Sequence, residues 1–215
     1  MMKKKHPIEE LIEQGEHQQL DFKFEVSDSK KIARTLSAFA NTDGGRLLIG
    51  VKDNGNIAGI ISEEEYYMIE AASKMYTQPI VPFTARRWEV GGKTVLEVYI
   101  EKGDEPPYCA PDKDDKFKAY IRVADENMLA NDILVKAWRK RGNQEGTLLK
   151  LTGAIEQLFT FLENNPTITM RTFCKIAKIN YYSAKNILID LLALGTLQYT
   201  IEDKHIVYKK NPGNT

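Results

Sequence analysis

Three carboxylates are spaced so that they could serve one metal ion: Glu16, Asp21 and Asp53. Leu20-Asp21-Phe22-Lys23-Phe24 alternates apolar and charged residues, so Asp21 and Lys23 are expected on the solvent side of a half-buried strand. Asp53 follows the apolar run Leu47-Leu48-Ile49-Gly50-Val51, which reads as a central strand covered on both faces. If the two strands are neighbours, three carboxylate groups converge on one hard cation. Oxygen ligands suit Mg²⁺ or Mn²⁺, ions that activate water and stabilise charge in phosphodiester cleavage. Against this stands the plainer reading, in which strand and turn carboxylates are simply solvated. Lys23 would then pair with Asp21, or it could touch a phosphate.

A second set of residues suits contact with nucleic acid. From Gly146 onward the chain carries eight Lys/Arg against five Asp/Glu, although the whole chain has 30 of each and no formal net charge. Lys175, Lys178, Lys185, Lys204, Lys209 and Lys210 dominate that excess, and clustered cations are what backbone phosphate contact requires. Tyr181, Tyr182, Ser183, Lys185 and Asn186 would open a helix whose first turns could meet base edges. The competing use of such a module is protein contact or dimerisation.

Other chemistries find less support. No G-x-x-x-x-G-K-[ST] stretch is present, and Gly44, Gly45 and Gly50 do not follow a G-x-G-x-x-G pattern, so they read as turn glycines. His6, His17 and His205 show no triad or ligand spacing. The two cysteines, Cys109 and Cys174, lie far apart in unrelated contexts and suggest neither a zinc site nor a disulfide framework.

The elements that must position these residues follow from periodicity. Helices are expected over residues 7–14, from a cap at Asp28 or Ser27 to a close at Asn41–Gly45 with Ile32, Leu36 and Phe39 as the inward stripe, and from the Ser62–Glu65 capping box to about Tyr76. Lys52-Asp53-Asn54-Gly55-Asn56 signals a hairpin turn, with residues 57–60 returning antiparallel. Strands are expected over 83–90 and 93–100, joined at Gly91-Gly92. In residues 116–123, Phe117, Ala119, Ile121 and Val123 alternate with Lys118, Tyr120 and Arg122, and the first set is expected inward. Residues 131–141 form a helix ending in Arg139-Lys140-Arg141. Polar, glycine-flanked residues 142–147 read as a linker. Three helices and a hairpin follow, the pattern of a winged helix-turn-helix over 148–210, with 211–215 as a disordered tail. The first domain is thus 1–141, an α+β fold with a mixed or antiparallel sheet.

Composition is that of an ordinary globular chain, 42% hydrophobic and 28% charged, long enough for two modest cores. The basic start Met1-Met2-Lys3-Lys4-Lys5 is followed by no apolar signal core, and no run is long enough to span a bilayer, so a cytoplasmic location is expected.

Three motifs together resemble a known family: Glu16-x-x-x-x-Asp21-Phe22-Lys23, then Ala38-Phe39-Ala40-Asn41-Thr42-x-Gly44-Gly45, then Leu48-Ile49-Gly50-Val51-x-Asp53-x-Gly55. They are similar to the Schlafen-type AlbA-like domain, once described as a divergent AAA ATPase domain. Ala119-Tyr120-Ile121-Arg122-Val123 resembles its tyrosine/arginine strand, which adds Arg122 to the candidate nucleic-acid contacts. The resemblance implies nucleic-acid binding, commonly in bacterial transcriptional regulators with a C-terminal winged helix. In Schlafen nucleases two glutamates and an aspartate bind metal and cleave RNA. The matching positions are Glu16, Asp21 and Asp53, with Asp21 one methylene shorter than the family's glutamate. Those nucleases are two-lobed, whereas one copy is visible here, so a homodimer would build the comparable groove. Three readings result: a DNA-binding regulator needing no cofactor, a Mg²⁺- or Mn²⁺-dependent endoribonuclease, and an ATP-binding module.

Overall fold

A computed structural model describes residues 5–142 and 152–214. The chain divides into two compact units, residues 1–130 and 131–215.

The first unit is built around one helix. It opens with α1 (Pro7–Ile12), whose His6 cap accepts from Ile8 N while Glu9 accepts from His6 N. Strand β1 (Leu20–Lys23) follows, then α2 (Ser29–Asn41), begun by Asp28 accepting from Lys30 N and Lys31 N. Next come β2 (Gly45–Ile49), α3 (Glu64–Tyr76), β3 (Thr84–Val90) and β4 (Lys93–Ile100). These strands form a mixed sheet ordered β1-β2-β4-β3, parallel between β1 and β2 and antiparallel elsewhere. Strands β5 (Cys109–Pro111), β6 (Phe117–Val123) and β7 (Glu126–Leu129) make a second, antiparallel sheet.

Helix α2 packs between the two sheets and is buried almost all round in its second half, from Thr35 to Asn41. This is why a single inward stripe of Ile32, Leu36 and Phe39 understates its burial. Its core partners include Leu47, Ile49, Leu96, Val98 and Tyr120. On the opposite face of the larger sheet, α1 covers only one end, placing Ile8 with Leu48, Val90 and Val95.

Two expected patterns are corrected. Residues 57–60 form no strand: the Asn54-Gly55 turn closes, with Gly55 N donating to Lys52 O at 2.7 Å, but only the Val51–Ile57 bridge follows. In β6 both faces are buried over Ala119–Arg122, so Tyr120 and Arg122 are covered as well as Ala119 and Ile121, while Phe117 is exposed. Alternation failed there because α2 covers the face that carries the polar residues.

The turn after α2 is set by close packing. A Cβ on Gly44 would lie 2.7 Å from Ile100 O, and its φ of +69° is left-handed; a Cβ on Gly45 would lie 2.5 Å from the Phe39 ring. Only glycine fits either place.

The second unit begins with α4 (Asp132–Gly142) and continues with α5 (Gly153–Asn164), α6 (Met170–Ala177), α7 (Tyr181–Ala193), β8 (Leu197–Glu202) and β9 (His205–Lys210). Helix α4 therefore belongs with this unit rather than closing the first domain at residue 141. It runs alongside α7 in the same direction. Lys185 pairs with Asp132 near the starts, Lys140 with Asp190 at 2.7 Å further on, and Arg141 donates to Leu192 O (2.7 Å) and Ala193 O (3.2 Å) at the ends. A cation on the last carbonyls of α7 complements its dipole.

Strands β8 and β9 meet at Asp203-Lys204, both at positive φ, a tight hairpin turn. Tyr208 bridges Ile168 and is buried enough that its phenol is pushed up to about 12, opposed by a hydrogen bond from Asn131. The linker expected over 142–147 lies, apart from Gly142, outside the described residues. At the end of the chain Asn211 is held by Thr196 O and Gly195 O rather than lying in a free tail. Among the described residues no helix is long and apolar enough to cross a membrane.

Candidate nucleic-acid interface and buried ion-pair clasp

Glu16, Asp21, Lys23 and Arg122 do come together, but around a buried ion pair rather than an open metal centre. Asp21 is 3% exposed and Arg122 only 1%. Parallel pairing of β1 on β2 fixes Asp21, and β6 brings Arg122 over it from the other sheet. Arg122 Nη2 donates to Asp21 Oδ1 at 3.0 Å and to Leu20 O at 3.2 Å, while Nη1 donates to Asn127 Oδ1 at 3.1 Å. Asn127 in turn donates to Thr35 on α2 at 2.9 Å, so one guanidinium ties both sheets to the central helix. The group also stands over the Phe39 ring at 5.2 Å. Lys23 Nζ lies 2.8 Å from Asp21 Oδ2 but is directed at Phe22 O, to which it donates at 2.7 Å. Asp21 Oδ2 and Arg122 Nε are consequently buried without an aligned hydrogen bond.

Glu16 sits beside this pair and accepts from Phe22 N at 2.9 Å. Partial burial holds its carboxyl above the usual range, opposed by the Phe22 amide and reinforced by the neighbouring Asp21. A raised carboxyl favours the native state at pH below its unfolded value and loses that contribution as pH rises through the native one. At neutral pH the ionised Glu16 therefore costs stability. Glu16→Gln keeps an acceptor for Phe22 and is expected to be more stable than the wild type at pH 7, with the advantage gone below pH 4.5; urea unfolding at pH 7 and pH 4 reads the difference.

Asp53 does not join them. The register sets Asp21 opposite Leu47, six residues before Asp53, and Asp53 is exposed in the turn beyond β2. Among the described residues no group of three His, Cys, Asp or Glu is placed to hold a metal ion. Asp21 already faces two cations. These residues do not fit a resident Mg²⁺ or Mn²⁺, and the three carboxylates expected to share one are divided between a clasp and a solvated turn.

Arg122 is likewise corrected as a nucleic-acid contact, being sealed inside the unit. Lys23 is half engaged by Asp21. The polar side of β1 was expected outward and is instead covered by β6. A further polar tie went unrecognised in the sequence. Asn41 Nδ2 donates to Tyr108 O (2.7 Å) and Tyr120 O (2.8 Å), and its Oδ1 accepts from Tyr108 N (2.8 Å). Ser37 and Thr42 serve the same seam: Tyr120 N donates to Ser37 Oγ at 3.2 Å and Arg122 N to Thr42 Oγ1 at 2.9 Å. The Asn41-Thr42 pair at the end of α2 was the available signal. It marks where a helix docks on a strand.

In the second unit, most of the expected contacts lie at one corner. Asn180 caps α7, accepting from Ser183 N at 2.8 Å, and Lys178 ends α6 in a left-handed conformation. Tyr181 (61% exposed), Tyr182 (73%) and Asn186 project from the first turns of α7, with Lys175 and Lys178 exposed just before them. Lys204 is exposed at the hairpin tip. Ser183 is half-buried. Lys185 departs from expectation: its ammonium lies on Asp132, whose carboxylate holds it above the usual lysine range. It faces α4 rather than open solvent.

The first unit is an α+β domain defined by two sheets on one buried helix and a charge clasp at the seam. The chain belongs to the Schlafen AlbA_2 family, whose model matches residues 16–131, more than half of the 215. No curated protein matches it. Among solved structures it is similar to the DIP2311 protein from Corynebacterium diphtheriae, at 21% identity and a TM-score of 0.44, covering 68% of this chain and 34% of that one. It is also similar to the N-terminal domain of a RecG-related protein from Nitrosomonas europaea, at 20% identity and a TM-score of 0.38, covering 69% of this chain and 98% of that domain. The chain thus spans about a third of the length of the first of these.

Proposed function

We propose that the protein binds duplex DNA through its second unit and acts as a transcriptional regulator, with the AlbA_2 domain as platform and dimerisation lobe. The observation that carries the reading is the corner formed by Lys175, Lys178, Tyr181, Tyr182 and Asn186 at the start of α7. Helix order α5–α6–α7, the Ile168–Tyr208 bridge and the β8–β9 hairpin support reading this unit as a winged helix-turn-helix, a module in which α7 would enter the major groove and the hairpin would lie over the backbone. Charge supports it: from Asn131 onward the chain has twelve Lys/Arg against seven Asp/Glu, and the first 130 residues carry the compensating deficit. Lys140, Arg141 and Lys185 spend their charge within the unit, so phosphate contact falls to the exposed Lys175 and Lys178, and Lys204 at the hairpin tip is assigned to the wing contact. A homodimer would present two such corners to one duplex, as paired half-sites require.

The test is fluorescence anisotropy with a labelled duplex. Lys178→Glu, a change at an exposed helix end, is expected to weaken binding about tenfold across unrelated sequences, whereas Asn186→Ala weakens binding mainly to the preferred sequence. Wild-type affinity in both variants would remove the corner from consideration.

A further inference from the structure

We propose that the uncovered half of the four-stranded sheet is a docking platform for a single-stranded nucleic acid, a second binding surface apart from the face of α7. The choice of polymer rests on the nucleic-acid reading above; the surface itself does not. Helix α1 has six residues and covers one end of this face, with His6 edge-on to Trp88 at 5.3 Å. Beyond it the pleat turns Arg46 of β2, Glu97 and Tyr99 of β4, and Thr84 and Arg86 of β3 to the same side, since Arg46 and Thr84 both pair with Tyr99 and Arg86 pairs with Glu97.

Their side chains are organised as two cation–ring stacks. The Arg86 guanidinium lies 3.8 Å from the Trp88 ring centre and that of Arg46 lies 5.4 Å from Tyr99. Glu97 stands between them and is consumed: Arg46 Nε approaches it at 2.9 Å and Trp88 Nε1 donates to it at 2.7 Å. It fixes both stacks and presents little negative charge outward, being 14% exposed. What reaches solvent is the Tyr99 ring, the Arg46 side chain and the Arg86 guanidinium.

A flat surface of rings and guanidinium planes suits bases that have left a helix. Every base has a π-face to lay on Tyr99 or on a guanidinium, and the remaining N–H donors of Arg46 and Arg86 can meet the phosphates between. A duplex hides its base faces and would gain nothing from the ring. Two guanidiniums against the single Glu97 carboxylate leave the patch one net positive charge beside an exposed ring, which is complementary to a polyanion with exposed bases.

The test uses the full chain, a labelled 12-nucleotide oligo(U) and a labelled DNA duplex, both followed by anisotropy at low salt. Tyr99→Ala is expected to weaken oligo(U) binding about tenfold, Tyr99→Phe to restore it, and neither to change duplex affinity. Arg86→Ala gives an independent loss without touching the Glu97 contacts. Unchanged oligo(U) binding in Tyr99→Ala and Arg86→Ala overturns the proposal, as does loss of a dimer on sedimentation with oligo(U) binding intact, which would make the occupant a second copy. Wild-type binding of duplex without oligo(U) overturns the platform alone. Tyr99-dependent oligo(U) binding without duplex binding upholds the platform and overturns the α7 reading, and binding of neither overturns both.

Discussion

Arg122→Met is expected to lower the unfolding free energy of the first unit by about 3–5 kcal/mol, the cost of leaving one partner of a buried ion pair behind. The side chain is 1% exposed, so water cannot replace it. Its loss strips a donor from Asp21 Oδ1, Leu20 O and Asn127 Oδ1 together, and Asp21 would keep only Lys23. Because domains hold only about 5–15 kcal/mol in total, the variant would be close to unfolding at room temperature. Pairing it with Asp21→Asn removes the stranded charge, and the double variant is expected to lose less than the two single losses added. Urea unfolding of the four proteins gives the coupling. A loss below about 1 kcal/mol in Arg122→Met would mean the pair is not the closure of this seam.

Asn41→Leu, nearly the same in volume, is expected to cost about 2–4 kcal/mol by stranding buried backbone groups. Tyr108 N loses its acceptor, and Tyr108 O and Tyr120 O lose the amide that bridges them, although Ser37 still donates to Tyr108 O at 2.8 Å. Asn41→Asp should be worse than Asn41→Leu, since an acceptor-only carboxylate faces two carbonyls in a dry seam. Thermal unfolding ranks the two, and the reverse order would show that the amide donors are not what joins α2 to β5 and β6.

Much of the first unit was legible because its signals are local. A cap at Asp28 or Ser27, Gly91-Gly92 as a turn, and the apolar run after Gly45 all state their structure within a few residues. The errors share one physical cause, a layer that arrives from far along the chain. Asp21 and Lys23 alternate correctly for a half-buried strand, yet β6, a hundred residues later, covers Asp21 with Arg122. The same burial covers β6 on its second face as well, and it turned Arg122 from a candidate nucleic-acid contact into a structural ion. Lys185 is a smaller case: its position on α7 reads as outward until α4 lies beside it with Asp132. Helix α4 was placed with the first domain because polar residues follow it, whereas its contacts are with α7. Charge counts showed which unit is basic but not which lysines keep their charge for a partner. Nor did any local pattern distinguish Arg46 and Tyr99 from ordinary exposed strand residues. Their stacking depends on strands β2, β3 and β4 meeting in one register.

The carboxylates illustrate the limit of motif spacing. The sequence motifs alone suggest Glu16, Asp21 and Asp53 as a set, with Asp21 one methylene shorter than a glutamate. In this chain Asp21 is held by Arg122, and Asp53 lies six residues beyond its cross-strand neighbour. A motif preserves the residues of a site without preserving their convergence.

The central claim, that the start of α7 and the hairpin engage the phosphates of a duplex, is tested most directly by the salt dependence of binding. Anisotropy of a labelled duplex between 50 and 200 mM salt is expected to give an affinity that falls steeply, with a log–log slope of about −3 to −5, reduced by about one in Lys178→Glu. A flat salt response, or no binding at the lowest salt, would contradict it.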